Sequence, residues 1–223
     1  MQPKAILFDL DNTLVDRAAS LKEYAFRFFV DFRDRLQEGS AQTVFNVITS
    51  VDAGGYGGWE KIIATLLSDL TWQSTPNQDE LAAHRFENYA LSAKPMPGLH
   101  QTLHRLQENF TLGIITNGTV HAQQGKIDQL ELDRYMQSIV ISGSERIKKP
   151  DPRIFEIALT RMSLSAEDAW FIGDHPRNDV IGAAQASLIP VWRRGFHPWP
   201  SEYAEPEKQI DSLTDLFPLL NLR

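Results

Sequence analysis

Five short apolar segments recur along the chain, and they constrain its fold more than any other feature. They span residues 5–8, 112–115, 139–141, 169–172 and 189–192, and each is ended by a polar or glycine residue soon after. Continuous apolar runs of this length are typical of strands that are buried on both faces, as the strands of a parallel sheet are. The sequence therefore predicts a parallel sheet.

Stretches with helical spacing lie between these segments. They cover residues 98–109, 152–162 and 176–187. Strand and helix thus alternate, as in a doubly wound, Rossmann-like α/β fold with three layers. A final helix is predicted over residues 212–220, after a proline-rich loop at 197–206.

Residues 16–93 break this alternation. Apolar side chains recur there at helical spacing in stretches 21–32, 62–70 and 79–91. The segment Lys-Pro-Met-Pro-Gly at 94–98 marks the return to the sheet. We therefore expect a small all-α cap domain at 16–93, inserted after the first strand, and a core domain built from residues 1–15 and 94–223.

Charge and cysteine content narrow the class of protein. The 223 residues include 29 acidic and 22 basic side chains, a net charge of -7, which has the wrong sign for a nucleic-acid or anionic-membrane partner. The chain has no cysteine, so disulfides, thiolate metal sites and a cysteine nucleophile are excluded. Asp9 ends the first apolar run too early for a signal peptide, and no later run approaches the roughly 20 residues of a membrane span. These features predict a cytoplasmic protein.

Polar side chains follow the ends of the predicted strands. Ligands of open parallel sheets bind beyond the carboxyl ends of the strands, where the strand order reverses. The residues at these positions, or at the start of the helix before the fourth strand, are Asp9, Asp11, Thr116, Asn117, Lys149, Asp174 and Asp179. We therefore expect carboxylates, a hydroxyl, an amide and an ammonium group on one rim of the sheet.

Carboxylates gathered in one cleft repel each other, and a hard divalent cation is the usual way to keep them ionised together. Mg²⁺ keeps several waters and needs only one or two carboxylates plus a substrate phosphate, which matches Asp9 and Asp174. Thr116, Asn117 and Lys149 would then donate hydrogen bonds and charge to phosphoryl oxygens.

Each of these segments also has an ordinary structural interpretation. An Asp-x-Asp after a strand suits a turn or a helix cap, and Thr-Asn-Gly at 116–118 suits a turn. Lys-Lys-Pro at 148–150 suits a solvated helix start, and Gly-Asp at 173–174 suits a cap. Their order, with each at a predicted strand end or helix start, favours a functional site.

Four segments together resemble the motifs of the haloacid dehalogenase superfamily. They are FDLDNTL at 8–14, ITNG at 115–118, KPDP at 149–152, and IGD at 172–174 followed by Asn178 and Asp179. The helical insert is similar to the cap of the phosphoglycolate phosphatase-like and nucleotidase-like branch of that superfamily.

The resemblance implies a phosphatase that works through an aspartyl phosphate. Asp9 would be the nucleophile, and Asp11 would first protonate the leaving oxygen and then activate water, roles that suit carboxylates so placed. Asp9, Asp174 and the backbone carbonyl of Asp11 would hold Mg²⁺. Thr116 and Lys149 match phosphate-binding positions.

The same resemblance leaves several points open. Asp179 would support the metal shell or orient Lys149. The partner is expected to be a small phosphate ester, but glycolate, nucleotide and sugar phosphates all fit these motifs, and a mutase remains an option. The oligomeric state is also open.

Two other functions compete with a phosphatase. A 2-haloacid dehalogenase on the same fold does not need the acid that Asp11 supplies, and dehalogenases resemble this motif without the second aspartate. A receiver-like phosphoacceptor domain also uses an aspartate, a hydroxyl and a lysine with magnesium. Such a domain is much shorter, lacks a cap and does not take its phosphoacceptor from the first strand.

Overall fold

The apolar segments form the strands of one parallel sheet. The computed structural model describes residues 2–222. Its strands are β1 Ala5–Phe8, β2 Thr111–Thr116, β3 Ser138–Ile141, β4 Ala169–Gly173, β5 Ile189–Arg193 and β6 Gln209–Ile210. The two-residue strand β6 is an addition to the five that the sequence predicts, and it is too short to give a periodic signal.

The strand order is β3-β2-β1-β4-β5-β6, with every pairing parallel. Strand β1 lies in the middle, where Ala5 faces Thr111 on one side and Ala169 on the other. All of its residues are buried, as the unbroken apolar run predicts. The strand order reverses at β1, so the carboxyl ends of β1, β2 and β4 form the crevice in which such sheets bind ligands.

The helices connect the strands and form an insert after β1. The α-helices of the described residues are α1 Arg17–Phe32, α2 Ala41–Asp52, α3 Trp59–Asp69, α4 Gln78–Asn88, α5 Leu99–Gln107, α6 Val120–Gln129, α7 Ser142–Glu145, α8 Pro152–Met162, α9 Gly182–Gln185 and α10 Leu216–Leu219. None of them is both long and apolar enough to cross a membrane. The predicted α/β fold with a parallel sheet and a helical insert is confirmed.

Local chemistry explains where the site-bearing helix α8 begins and ends. The Asp151 side chain accepts from the Arg153 backbone N–H, and Pro152 occupies the first helical position, where a missing N–H costs nothing. Ser163 then ends the helix in a left-handed conformation.

The segment after β4 departs from the expected regular helix at 176–187. A π-helix spans Pro176–Ile181 and continues into α9. Hydrogen bonding explains the difference, because the His175 side chain accepts from two backbone N–H groups of the first turn and the Asp179 side chain bonds to the His175 N–H. These side-chain bonds fix a wider turn, and π-helical turns are frequent at functional sites.

Other helices also differ from expectation. Helices α2, α6 and the short α7 are not among the predicted helical stretches, although Ser40 and Thr43 form a capping box at the start of α2. The predicted C-terminal helix is a 3₁₀ turn at Leu213–Asp215 followed by the short α10. Pro218 lies in α10, and proline does not favour a longer helix there.

The chain forms two compact units. Unit 1 comprises Met1–Asp16 and Pro95–Arg223, and unit 2 comprises Arg17–Lys94. Unit 2 has its own apolar core, centred on Tyr24 and Phe28. Unit 1 contains the sheet, with α8 packed on it through side chains that include Phe155. The site described next lies within unit 1.

Candidate active site

The turn after β1 places two aspartates side by side. The Asp9 N–H continues the sheet by donating to the Ile172 carbonyl at 2.9 Å, and Asp9 is 8% exposed. The chain then turns sharply, with Asn12 at a φ of 60° and its N–H bonded to the Val15 carbonyl. Asparagine tolerates this left-handed conformation better than most residues. The turn keeps Asp11 next to Asp9 at the carboxyl end of the central strand.

Lys149 lies between Asp9 and Asp179. Its Nζ donates to Asp9 Oδ1 at 2.6 Å and to Asp179 Oδ1 at 2.7 Å, and the ammonium also lies over the Phe171 ring. Burial opposes the charged form of Lys149, but the nearby Asp179 and Asp9 carboxylates outweigh it and raise the pKa of Lys149. The lysine is therefore a fixed positive charge in contact with Asp9.

Asp9 has an unusual electrostatic environment. Burial raises the pKa of Asp9 to about 7, although Lys149 opposes this shift, and the neighbouring Asp179 and Asp11 add to it. Burial also raises the pKa of Asp179. A perturbed carboxyl at a ligand-binding crevice is typical of a functional group.

The backbone of β4 brings Asp179 into this cluster. A Cβ on Gly173 would lie 2.4 Å from both Cβ and Cγ of Asp179, so only glycine permits this approach. Asp179 Oδ2 accepts from the His175 N–H at 2.9 Å, while Oδ1 accepts from Lys149. Both oxygens of Asp179 therefore have protein donors.

Asp174 completes a group of carboxylates. Oxygens of Asp9, Asp174 and Asp179 lie within 4.8 Å of one another, and all three residues are buried. Asp174 Oδ2 accepts from Asn12 Nδ2 at 3.1 Å, and its backbone carbonyl accepts from the Trp192 indole at 3.1 Å. These bonds fix the position of Asp174 beside Asp9.

The donor set fits a hard divalent cation. Asp9 and Asp174 offer carboxylate oxygens, and burial of this group disfavours their negative charge. A bound cation would compensate that charge. Asp179 is less suited as a ligand, because its oxygens already bind Lys149 and His175. The Asp11 carboxylate is less suited for the same reason, because it binds Lys126 and Gln123.

Thr116 is the last residue of β2 and Asn117 follows it, on the side of β1 opposite to β4. The Asn117 side chain pairs with the Lys149 backbone, since Nδ2 donates to the carbonyl at 3.0 Å and Oδ1 accepts from the N–H at 2.9 Å. Asn117 therefore fixes the segment that carries Lys149. Thr116 Oγ1 accepts from Gln123 Nε2 at 2.6 Å, which leaves its hydroxyl proton able to donate to a ligand.

Asp11 has partners that the sequence reasoning did not identify. Lys126 Nζ lies 2.7 Å from each Asp11 carboxylate oxygen, and Gln123 Nε2 donates to Oδ2 at 3.1 Å. Both partners are on α6, where they share the buried face with Ala122 and Ile127. The sequence signal for these partners was the presence of two polar residues on a helix face that is otherwise apolar.

Two histidines lie near Asp174. The rings of His175 and His197 are 4.8 Å apart, and His197 Nε2 lies 3.4 Å from Asp174 Oδ2. Burial and the neighbouring His197 lower the pKa of His175, whose Nδ1 accepts backbone hydrogen bonds. The hydrogen bond to Asp174 raises the pKa of His197. His197 lies in the predicted loop 197–206 and was not anticipated at the site.

Comparison with known proteins finds a matching family model and similar phosphatases. Residues 3–187 match the model of the haloacid dehalogenase-like hydrolase family. The chain is 31% identical to the glyceraldehyde 3-phosphate phosphatase of Pyrococcus furiosus over 85% of its length and 80% of that protein. It is 27% identical to phosphoglycolate phosphatase 1 of Pseudomonas aeruginosa over 97% of its length and 79% of that protein.

A solved structure shows the same fold. The magnesium-bound HAD-hydrolase YfnB from Bacillus subtilis superposes with a TM-score of 0.77 at 22% identity, covering 100% of both chains.

Proposed function

Because the chain belongs to the haloacid dehalogenase-like hydrolases, we propose that it is a magnesium-dependent phosphatase acting on small phosphomonoesters through a phosphorylated Asp9. The observation that carries this proposal is the placement of Asp9. It is buried at the end of the central strand, its Oδ1 contacts the Lys149 ammonium, and a second carboxylate stands two residues away. The two relatives above are named as phosphatases of small phosphorylated molecules.

The first step forms the aspartyl phosphate. An Asp9 carboxylate oxygen attacks the phosphorus of the ester, and the bond between phosphorus and the leaving oxygen breaks. Asp11 gives its proton to the leaving oxygen, which departs as an alcohol. Lys149 and the Thr116 hydroxyl donate to the phosphoryl oxygens as charge redistributes, the contribution that preorganised donors make to catalysis.

The second step restores Asp9. Water attacks the same phosphorus, its proton passes to the Asp11 carboxylate, and the bond between phosphorus and the Asp9 oxygen breaks. Inorganic phosphate leaves, and Asp9 is again a carboxylate while Asp11 is again protonated. The sum of both steps is ester plus water giving alcohol plus phosphate.

Asp9, Asp174 and the backbone carbonyl of Asp11 would hold the magnesium ion. When bound, it supplies positive charge that lets the Asp9 carboxylate approach a phosphate dianion. Asp179 acts by orienting Lys149, since both of its oxygens have protein donors.

A second candidate function is hydrolysis of a 2-haloacid. Halide departure needs no proton, so Asp11 would have no role in that reaction, and the phosphatase explains Asp11 better. A receiver-like switch uses the same residue types but must retain its phosphate, whereas Asp11 provides a base for rapid hydrolysis.

The proposal is tested by screening purified protein with Mg²⁺ against a panel of phosphomonoesters, glycolate, nucleotide and sugar phosphates among them, and measuring released phosphate. We expect turnover of at least one ester, loss of turnover in Asp9→Asn, and inhibition by chelator that added Mg²⁺ reverses. A hexose phosphate that is isomerised without release of phosphate would instead identify a mutase.

The covalent intermediate is tested with acetyl phosphate, whose leaving group needs little protonation. We expect Asp11→Asn to accumulate a phosphoprotein, visible by intact mass, because water then lacks its base. A long-lived phosphoprotein in the unaltered chain, with no ester hydrolysed, would overturn the phosphatase in favour of a switch.

A further inference from the structure

Two buried polar side chains of α6 converge on Asp11. Lys126 is 4% exposed, and its Nζ contacts both Asp11 oxygens at 2.7 Å and Gln123 Oε1 at 3.0 Å. Lys126 is thus held between Asp11 and Gln123.

Gln123 connects Asp11 to the phosphate-binding side of the site. Its Nε2 donates to Asp11 Oδ2 at 3.1 Å and to Thr116 Oγ1 at 2.6 Å, while its Oε1 accepts from Lys126. Every polar atom of the amide is used, which fixes its orientation. The side chains of β2, α6 and the turn after β1 are therefore joined in one network.

The Asp11 side chain stays partly exposed, although both of its partners in the network are buried. The Asp11 side chain is 27% exposed, whereas that of Lys126 is 5% exposed. A lysine–carboxylate contact of this kind is weak evidence for stability, because desolvation costs about as much as the attraction returns. Its effect here is to orient the Asp11 side chain, which in the proposed reaction must meet the leaving oxygen and the attacking water.

We infer that Lys126 and Gln123 are positioning residues for the reaction, which fix the Asp11 carboxylate relative to the Thr116 hydroxyl. The inference rests on the proposed phosphatase function. Asp11 must meet the leaving oxygen while Thr116 binds the phosphoryl group of the same substrate. A misplacement of about 1 Å at such a centre can cost roughly 10²-fold in rate.

The test compares Lys126→Met, Asp11→Asn and the double variant on two substrates that differ in leaving group. One is p-nitrophenyl phosphate, whose leaving oxygen needs little protonation, and the other is an alkyl phosphate found active in the screen. We expect Lys126→Met to lower kcat/KM for the alkyl phosphate by about 10- to 100-fold and for p-nitrophenyl phosphate by much less. Asp11→Asn should show the same selectivity.

The double variant distinguishes positioning from a general structural effect. If Lys126 acts through Asp11, Lys126→Met has no further effect once Asp11 is Asn. Independent losses that multiply, or equal losses on both substrates, would overturn the inference. Lys126→Arg, which keeps the charge, should recover part of the activity.

Matched variants control for folding. Gln124→Leu alters the neighbouring residue of α6, whose amide binds Asp128, and should leave the substrate ratio unchanged. Should Lys126→Met fail to fold, Gln123→Met carries the same test, because it keeps the volume and removes the bonds to Asp11 and Thr116. If the unaltered chain hydrolyses no phosphomonoester, the proposed function fails. If it does hydrolyse one, but the effects of Lys126→Met and Asp11→Asn are additive in the double variant, only this inference fails.

Discussion

The Asp179 carboxylate lies 2.7 Å from the Lys149 ammonium, and the side chains of both residues are only 2% exposed. The other oxygen of Asp179 accepts from the His175 N–H. One acid thus fixes both the lysine that contacts Asp9 and the turn that follows Asp174. Removal of the Asp179 carboxylate should therefore slow the reaction, although Asp179 itself does not contact the substrate.

We predict that Asp179→Asn lowers kcat by roughly 10- to 100-fold, as the loss of supporting groups around metal sites does. An amide has one acceptor oxygen, so its NH₂ group must face either the Lys149 ammonium or the His175 N–H. Steady-state kinetics with Mg²⁺ measure the effect. Asp168→Asn, which changes an acid paired with Lys4 on the surface, should keep full activity, and equal loss in both variants would contradict the prediction.

Two adjacent lysines allow a direct comparison. Lys149→Met should lower kcat/KM by about 10²- to 10³-fold, the range for loss of one preorganised donor, because it removes the charge beside Asp9. Lys148 is exposed and Lys149 buried. Lys148→Met should therefore remain active, and the prediction is wrong if it loses as much activity as Lys149→Met.

Magnesium binding should weaken in acid. Burial raises the pKa of Asp9 to about 7, so above that pH the cation meets an ionised carboxylate, and below it the cation must displace a proton. We expect the affinity to fall by up to roughly tenfold for each pH unit below 7. Calorimetry at about pH 6 in two buffers of different protonation enthalpy should detect proton release. An affinity that is the same at about pH 6 and pH 8 would refute it.

The same group should lower the stability of the metal-free protein at high pH. The pKa of Asp9 is about 7 in the folded chain against an ordinary 3.8, so the native state binds the extra proton between these values, and stability falls as the pH rises through them. Asp9→Asn should therefore raise Tm at about pH 8 and change it little at about pH 4. Each kcal/mol corresponds to about 2–4 °C in a chain of this size.

Added Mg²⁺ provides the control for this stability effect. Mg²⁺ should stabilise the unaltered protein but not Asp9→Asn. The difference in Tm between the two proteins at about pH 8 should therefore become smaller. If Asp9→Asn is less stable than the unaltered chain at about pH 8 without metal, then the ionised Asp9 carboxylate does not destabilise the folded protein and the prediction is wrong.

Gly118 should be needed for the Gln123 network. Its φ is +151°, and a Cβ there would lie 2.7 Å from Gln123 Cγ. We predict that Gly118→Ala lowers kcat by displacing Gln123 from Asp11 and Thr116. Gly195→Ala isolates the backbone effect, because Gly195 also has a positive φ but no atom within 4 Å of the added Cβ. Equal kinetics for the two variants would contradict the prediction.

Short-range patterns made much of unit 1 predictable. Continuous apolar runs identify strands buried on both faces, and the polar residues after them fall at one edge of a parallel sheet because such strands share a direction. Asp9, Lys149 and Asp174 accordingly come together from distant parts of the sequence.

The unpredicted features depend on contacts between distant segments. Lys126 resembles a solvated helix residue until the fold places it against Asp11, 115 positions away. The π-helix at Pro176–Ile181 depends on side-chain bonds of His175 and Asp179, which periodicity does not encode. Strand β6 has only two residues, so it is too short to show a periodic pattern of apolar residues.

The chain leaves unit 1 for the insert and returns to it at neighbouring points. Val15 pairs with Pro95 in an antiparallel bridge, and the Met96 N–H donates to the Leu14 carbonyl at 2.9 Å. The ends of the insert are thus joined by backbone bonds that belong to unit 1 itself, and no strand of the sheet lies within it. We therefore expect that another segment whose ends lie equally close together could replace the insert, in engineering or in evolution, without any change in strand order.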